Sequence, residues 1–571
     1  MDMRINILSV MASLVAVTSC ISLDTAPYDS VAQGNYWKTE DDAKSAMMGV
    51  YAQMKDMGSF GYMPLWDTYS DIGHGPGSGL ENGNYTAKED FLVQNWQHTW
   101  DGVHRANTVI RNVKTMQISQ EVKDKVVGEA YFMRALYYFH LVDFFGSVPW
   151  YDESWDITTS FMNMNLPRET AQESWQHIVD DCTKAIALLP VKWSDTDYGR
   201  ATKGAAYALR GKAKLYTKDW KGAIADFEEI VNNVSENYGY ALYDDYAALF
   251  RVAGPIAGNK EEIFAIQNKG DVGALYGMEF PMLYGTRGTY GSGRTTCMPS
   301  VTLADMYEMK DGKEFDWEDY VPGFTTDNAI KRATFESRLN SALTEFAQVP
   351  DTTMLLNMYR ARDPRLMQSL IVPYSWFEGY VGEESKMQIY AIAAGVAAAN
   401  GFIQGRGWNT YLYRKFVPEG DMDGKLTDRR HLPVNFSIIR FADVLLMLSE
   451  AYNEDNQLDK AIVELNKVRA RKSTSMPGLN SGPAWLAVTS KEQMRERIIK
   501  ERAVELAGEG HRFSDLRRWG IAEERLDGRK EVEFTGTTLF TRTFKSRNNL
   551  WPIPSEEVIN NPALLPNNPG W

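Results

Sequence analysis

Three titratable residues that lie close together could bind a metal ion: Glu505, Glu509 and His511. Carboxylates and imidazoles at short spacing are typical of metal sites, and HExxH on one helix face is the zinc-protease form of the pattern. The spacing here is not that of HExxH. The sequence therefore predicts no metal at these residues.

Other catalytic or ligand-binding motifs are equally weak. The glycine-rich segment 285–294 contains neither GK[ST] nor GxGxxG, so a phosphate cradle is not expected. Segment 421–424 begins like a calcium loop, but Leu432 occupies the twelfth position where a bidentate Glu is needed, which predicts a turn. No GxSxG occurs, while the seven His and 75 acidic residues leave Ser–His–Asp catalysis and glycoside hydrolysis open.

Aromatic residues are the strongest chemical signal, because they form 12% of the chain and are dense in three loop stretches. Sugars present apolar C–H faces and polar hydroxyl groups, so a sugar site needs flat rings for stacking and polar side chains for hydrogen bonds. The side chains predicted to form this site are Trp66, Trp96, Tyr284, Tyr290 and Trp317, with Arg287 and Asp71 as polar partners. For any single ring the core is the more common location, and Trp100, which begins a helical pattern, is predicted there.

Helical patterns supply the elements that hold these loops. Apolar residues recur at helical spacing before Gly146 and Pro149, which end the first strong pattern. A tight connection over 217–220 joins two later helices into a hairpin. Helices are predicted over 121–144, 171–189, 201–216, 221–233, within 438–471, and over 490–507.

These helix pairs resemble tetratricopeptide repeats. That repeat places small residues where two helices touch and an Ala-x₃-Phe pair in the second helix, as Gly211, Ala223 and Phe227 do here. A similar unit lies at 438–471. Generic helix packing is the alternative.

The resulting fold class is mainly α, with about four helix pairs and an irregular, loop-rich subregion. We expect one domain over 20–571, with the helical scaffold at about 30–57, 100–233 and 437–520. The ligand-binding region is then about 58–99 and 234–436, because loops this long are usually functional.

Overall composition excludes several classes of protein. The charge balance of Lys+Arg 61 against Asp+Glu 75 disfavours a nucleic-acid binder. The aromatic content excludes a chain that is mainly disordered, and three Cys are too few for a disulfide scaffold.

The amino terminus is predicted to be a processing segment. Residues 1–19 contain Arg4 and then a mostly apolar stretch that is too short to span a membrane. The sequence Val-Thr-Ser-Cys ending at Cys20 resembles a bacterial lipobox, which predicts cleavage before Cys20 and a lipid on its sulfur. An ordinary secretory signal with an incidental Cys is the alternative.

Several blocks together resemble the SusD/RagB family of outer-membrane lipoproteins from Bacteroidetes. The most recognisable is EAYFMRALYYF at 129–139, continued by Gly-Ser-Val-Pro at 146–149. His104 stands where the family usually has an aromatic residue. The blocks are collinear over nearly the whole chain, at 36–43, 100–107, 129–149, 439–469, 501–520 and 550–571.

The resemblance implies a fold and a role. Four tetratricopeptide-like helix pairs would support an irregular ligand-binding region on a protein held at the cell surface by a lipid on Cys20. Such a protein captures oligosaccharides or polysaccharide and delivers them to a SusC-like TonB-dependent transporter. No enzyme activity, cofactor or metal is implied. Peptide capture, as in the RagB branch, and a surface glycoside hydrolase are the alternatives.

The same resemblance places residues 505–518 at a helix end. Arg512, Asp515, Arg517 and Arg518 would then form a partly buried network of ion pairs, with Gly508 and Gly510 near the cap.

Overall fold

The computed structural model describes residues 36–160, 163–256, 258–269, 278–403, 405, 407–428 and 431–571. The predicted signal segment and Cys20 lie outside these residues. None of the helices in the described ranges is both long and apolar enough to cross a membrane. Cys182 and Cys297 are free, buried thiols.

Ten helices form the scaffold, and local sequence explains where they begin and end. The Thr170 hydroxyl accepts a hydrogen bond from the Glu173 amide, and the Glu173 carboxylate accepts one from the Thr170 amide, a reciprocal capping box. The helices are α1 (Glu40–Ala52), α2 (Asp90–Thr115), α3 (Gln120–Phe145), α4 (Ala171–Leu188), α5 (Lys203–Tyr216), α6 (Trp220–Val231), α7 (Phe441–Glu454), α8 (Leu458–Arg469), α9 (Lys491–Glu505) and α10 (Arg512–Arg518).

Shorter elements fill the loop-rich parts of the chain. Short α-helices span Gly79–Asn82, Ile157–Ser160, Phe280–Leu283, Val301–Met306, Asn328–Phe335, Thr352–Arg360, Arg365–Ser369, Ala522–Leu526 and Ser555–Asn560. The strands are β1 (Gly73–His74), β2 (Glu262–Ile266), β3 (Met298–Pro299), β4 (Arg338–Leu339), β5 (Phe346–Gln348), β6 (Leu370–Ile371), β7 (Trp376–Val381), β8 (Glu384–Ile389), β9 (Leu412–Tyr413), β10 (Phe436–Arg440), β11 (Lys530–Val532) and β12 (Thr538–Thr541). The described strands pair only in twos, all antiparallel: β1–β3, β2–β10, β4–β5, β6–β9, β7–β8 and β11–β12.

Consecutive scaffold helices pack as hairpins, which confirms the predicted mainly α, tetratricopeptide-like architecture. Helices α5 and α6 touch where Gly211 lies against Phe227: a Cβ on Gly211 would stand 2.6 Å from the Phe227 ring. A bulky residue at 211 would therefore separate the two helices.

The first long helix was only partly expected. Helix α2 begins at Asp90, ten residues inside the stretch that the sequence assigned to the ligand-binding loops. Leu92, Trp96 and Val103 recur on its buried face, and Gly102 lets the ring of Tyr137 on α3 approach closely. The polar residues between them hide this helical period, so α2 extends into the stretch that was predicted to be loop.

A two-stranded sheet anchors the long central insertion on the scaffold. Strand β2 lies near the start of the insertion and β10 lies at its end, immediately before α7, and the two pair from Phe436 opposite Ile266 to Arg440 opposite Glu262. The insertion therefore leaves and rejoins the scaffold at one place.

Buried ion pairs reinforce that junction. Arg440 at the end of β10 bonds to Glu261, Glu505 and Glu509 at 2.7–2.9 Å, and Lys415 from the insertion contacts Glu509 at 2.6 Å. The cluster that could have bound a metal is thus occupied by cationic side chains. All five residues are at least nine-tenths buried.

The four residues predicted to form buried ion pairs, Arg512, Asp515, Arg517 and Arg518, all do so. Asp515 pairs with Arg502 and Arg518 at 2.8 Å, and Arg517 pairs with Asp143 at 2.9 Å. The amides of Gly508 and Gly510 both donate to the Asp67 carboxylate. Both glycines have positive φ, a conformation that favours glycine at a helix end.

Candidate ligand-binding surface

Four of the five predicted aromatic side chains are buried in the core: Trp66, Trp96, Tyr284 and Trp317. The Trp66 ring packs 4.8 Å from both His140 and Phe144, and Trp317 stacks on Phe324 at 4.1 Å while its Nε1 donates to Asp305. Both Trp side chains are about 5% exposed or less. Their ring faces meet protein, so the expectation that they stack on a sugar was wrong.

Tyr284 and Asp71 are also structural. Tyr284 is fully buried, and its hydroxyl donates to the carbonyl of Gly508 at 3.0 Å. Asp71 receives two hydrogen bonds from Arg512, at 2.8 and 2.9 Å. Burial acts to raise the pKa of Asp71, but the Arg512 guanidinium outweighs it and the pKa is lowered. Because Asp71 is also buried, its carboxylate is out of reach of a ligand hydroxyl.

Trp96 lies on the buried face of α2 and is 4% exposed. Its ring meets Phe145 edge to face at 5.0 Å and Trp100 at 5.7 Å. Trp100 is buried, as predicted. The two indoles do reach the floor of a groove, but on the helical scaffold and not among the predicted loops.

Arg287 and Tyr290 alone among the seven lie where a ligand has access, Arg287 exposed and Tyr290 half-buried. They occupy the tip of a loop whose two arms are held together by backbone hydrogen bonds from Gly293 to Thr286 and from Thr295 to Gly285, at 2.8 and 2.9 Å. The tip is thereby fixed without a strand or helix.

This loop packs on the hairpin formed by β7 and β8. The Tyr380 amide donates to the Gly288 carbonyl at 2.7 Å. A Cβ on Gly379 would stand 2.4 Å from that oxygen, so this approach requires glycine there. The contact brings the Tyr290 and Tyr380 rings to a centroid separation of 4.8 Å with a tilt of 38°.

Other large side chains share the outer face of the hairpin. Side chains alternate across a strand, so Trp376, Glu378 and Tyr380 of β7 face the same way, with Met387 opposite Glu378 on β8. Trp376 is 57% and Met387 53% exposed. We call Arg287, Tyr290, Trp376, Tyr380 and Met387 the loop surface.

A polar cleft of about 330 Å³ adjoins the loop surface. Glu378 and Ser385 of the hairpin line it together with Arg251 and Asp421. Burial lowers the pKa of Arg251 to about 10, which leaves this side chain charged at neutral pH. Carboxylate, hydroxyl and guanidinium groups beside two neighbouring rings can bind a ligand that has both apolar faces and hydroxyl groups. No cluster of residues suited to a metal ion occurs within the described ranges.

Comparison with known proteins identifies the family. A family model described as "SusD family" matches residues 260–571, more than half of the chain. The chain belongs to the SusD family. A second model, described as "Starch-binding associating with outer membrane", matches residues 63–216.

Relatives of this SusD-family chain match it along nearly its whole length. A SusD-like protein of Formosa agariphila, P2, is 25% identical over 98% of both chains. Among solved structures, a SusD-like carbohydrate-binding protein of Bacteroides fragilis has a TM-score of 0.75 at 24% identity, covering 93% of this chain and 99% of its own. A "laminarin binding SusD-like protein" has a TM-score of 0.62 at 24% identity, covering 94% of this chain and 100% of its own.

Within this SusD-family fold, Trp376 and Tyr380 are accessible aromatic side chains that were not among the residues predicted for the site. Their signal was the alternation of Trp376, Glu378 and Tyr380 with Phe377 and Gly379, which is typical of a strand with one exposed face. Most of the aromatic residues predicted from their position in loops are buried by the tertiary structure.

Proposed function

We propose that this SusD-family protein is a lipid-anchored, surface-exposed outer-membrane protein that captures oligosaccharides or polysaccharide and delivers them to a SusC-like TonB-dependent transporter. The loop surface and its polar cleft are the proposed binding site. The observation that carries the proposal is the Tyr290–Tyr380 ring pair, held by backbone contacts beside the cleft.

The chemistry of this site supports a sugar ligand. Tyr and Trp rings offer C–H faces a flat surface at a low entropic cost, and each aromatic contact contributes about 0.5–1.5 kcal/mol. Arg287 and the cleft side chains supply donors and acceptors for hydroxyl groups, each worth about 0.5–1.5 kcal/mol net. Several such contacts give micromolar binding, which allows release.

Capture without catalysis agrees with two similar proteins of known structure, which are described as carbohydrate-binding and laminarin-binding. The lipid on Cys20 holds the protein near its transporter. Tethering raises the effective concentration of captured sugar at the transporter, so tight affinity is unnecessary.

Affinity electrophoresis of residues 21–571 through gels that contain neutral and acidic polysaccharides tests the binding. We expect one polysaccharide to retard the chain without the release of reducing ends. Tyr290→Ala and Trp376→Ala should restore mobility. Trp485→Ala is the matched control, because Trp485 is also exposed, at 45%, but lies outside the loop surface.

Three results would contradict the proposal. Release of reducing ends would identify a hydrolase, and retardation that survives both loop-surface substitutions would place the site elsewhere. Failure of every polysaccharide, together with binding of peptides, would identify the peptide-capturing alternative. Delivery is tested separately: the tagged full-length protein should copurify from outer membranes with a TonB-dependent transporter, and Cys20→Ala should appear in the soluble fraction.

A further inference from the structure

A second groove, of about 580 Å³, lies on the helical scaffold. It is bounded by α2, by residues 149–157 and 164–165 after α3, and by the short helix Ser555–Asn560. It shares no residue with the loop surface or the polar cleft. Its volume lies within the range of small-molecule sites, about 300–1,000 Å³.

Aromatic rings form the floor of this groove. Trp100 contacts Trp96 and Tyr151, each at a centroid distance of 5.7 Å, and the partly exposed His104 ring lies 6.0 Å from Trp100. The Tyr151 hydroxyl donates to the Met164 carbonyl at 2.9 Å, which fixes its ring. Because these rings are already immobilised, a ligand that contacts them orders few side chains.

Polar side chains with unused hydrogen-bonding capacity surround the floor. The side chains of Asp101, Asn165 and Asn560 make no hydrogen bond to any described residue. The buried Nε1 of Trp100 likewise has no acceptor among the described residues. Amides and carboxylates around apolar rings can exchange hydrogen bonds with several hydroxyl groups.

The charge of the lining selects the class of ligand. Asp101 and Glu557 are acidic, and no Lys or Arg is among the described residues that line the groove. Burial lowers the pKa of His104 below its usual 6.5, and the opposing effect of Asp101 is smaller. The imidazole is therefore neutral at pH 7 and offers one donor and one acceptor. An anionic ligand would face carboxylates without a counter-charge.

We propose that this groove is a second binding site, which takes a neutral saccharide. The sugar's C–H face lies on the partly exposed ring of His104, which rests on the buried Trp100, and its hydroxyl groups bond to Asp101, Asn165 and Asn560. A chain with two sites can hold one polysaccharide at two points, which raises its avidity without tight binding at either site.

The test removes the first site and then the second. The chain with Tyr290→Ala and Tyr380→Ala is titrated calorimetrically with laminari-, malto-, cello-, manno- and xylohexaose. We expect it to retain binding to at least one hexasaccharide at one molecule per chain. Adding Asn165→Ala and Asn560→Ala should weaken this residual binding at least tenfold. Both Asn side chains are exposed, so folding should be unaffected, and an unchanged thermal midpoint confirms it.

A second measurement locates the sugar. Hydrogen exchange on residues 96–104 and 149–160 should slow when the hexasaccharide is added to the chain lacking the two tyrosines. The inference is overturned if the chain lacking the two tyrosines binds no hexasaccharide that the wild type binds. It is also overturned if Asn165→Ala and Asn560→Ala leave the residual affinity unchanged. Binding of trilysine but no hexasaccharide in the groove would also overturn it. If the wild type binds none of the five hexasaccharides, this inference fails, whereas the proposed function is decided separately by electrophoresis in the polysaccharide gels.

Discussion

At the scale of single residues, burial separates aromatic side chains that stabilise the fold from those that can meet a ligand. Trp317 is enclosed by Phe324 and Phe335, whereas Tyr290 contacts Tyr380 on one side and stays half-exposed. A ring packed on both faces contributes to stability, and a ring with a free edge or face contributes to binding.

We expect Trp317→Ala to lower the thermal midpoint of unfolding, because replacing a buried Trp costs about 3–5 kcal/mol. Tyr290→Ala should shift the midpoint little, since exposed substitutions usually change stability by about 0.5 kcal/mol or less. Differential scanning calorimetry of the two variants measures this contrast. Equal midpoints would mean that Trp317 is not part of the core.

Buried histidines make stability depend on pH. Burial lowers the pKa of His511 from 6.5 to about 4. Between these values the unfolded chain binds a proton that the folded chain excludes, so this residue makes stability fall as the pH drops from about 6.5 to about 4. Burial raises the pKa of Asp67 to about 7, which acts with the opposite sign over the same range.

The difference in thermal midpoint between the wild type and His511→Gln isolates the contribution of His511 to the pH dependence of stability. Thermal midpoints measured from pH 7 to pH 4 should decline less steeply for the variant. Its unfolded chain no longer binds a proton at position 511 that the folded chain excludes. The Asp67 contribution is common to both chains and cancels. Parallel curves would show that His511 binds its proton equally well in the folded and unfolded states.

At the scale of elements, the scaffold depends on close helix approach and on caps. Asp219 accepts a hydrogen bond from the Gly222 amide and starts α6, while Gly211 on α5 leaves room for the Phe227 ring. Both features act on the hairpin of α5 and α6. The Asp219 cap sets where α6 begins, and Gly211 sets the distance between the two helices.

Gly211→Ala should destabilise the protein although alanine favours helices. The new methyl group would stand 2.6 Å from the Phe227 ring, and overpacking typically costs about 1–3 kcal/mol. Gly49→Ala on α1 is the matched control, because the only atom near its Cβ is an Arg105 nitrogen at 4.0 Å. There the midpoint should rise, reflecting up to about 1 kcal/mol of helix propensity. The same sign for both variants would contradict this account.

At the scale of the whole molecule, one buried cluster of apolar side chains joins the scaffold to the loop-rich region, from Ala43 to Leu564. The β2–β10 sheet and the ion pairs of Arg440 lie where the two regions meet. The insertion that carries the loop surface is therefore anchored to the scaffold at this junction.

Arg440→Met should be strongly destabilising, because it leaves Glu261, Glu505 and Glu509 buried with fewer positive partners. Removing one member of a buried ion pair typically costs about 3–5 kcal/mol. Lys472→Met is the control: Lys472 pairs with Asp244, but both side chains are at least 70% exposed. Urea unfolding should shift strongly for the first variant and hardly for the second. A small shift for Arg440→Met would mean that water or rearranged neighbours compensate the carboxylates.

Local signals in the sequence were sufficient for most of the scaffold, although not for the start of α2. Helical periodicity, Gly146 after α3, and the small residues at 211 and 223 predicted helices that the structure contains within a few residues of the expected bounds. These features act within one or two neighbouring helices. They need no knowledge of the rest of the chain.

The candidate site depended on contacts between residues distant in sequence. Tyr290 and Tyr380 meet across 90 positions, and Asp71 is committed to Arg512 across 441. The sequence alone determined the helical scaffold, the loop-rich composition and the acidic balance, because each is a local or additive property. Only the tertiary structure decided which aromatic rings are buried and which remain accessible, because burial is set by the segments that fold over a ring from elsewhere in the chain.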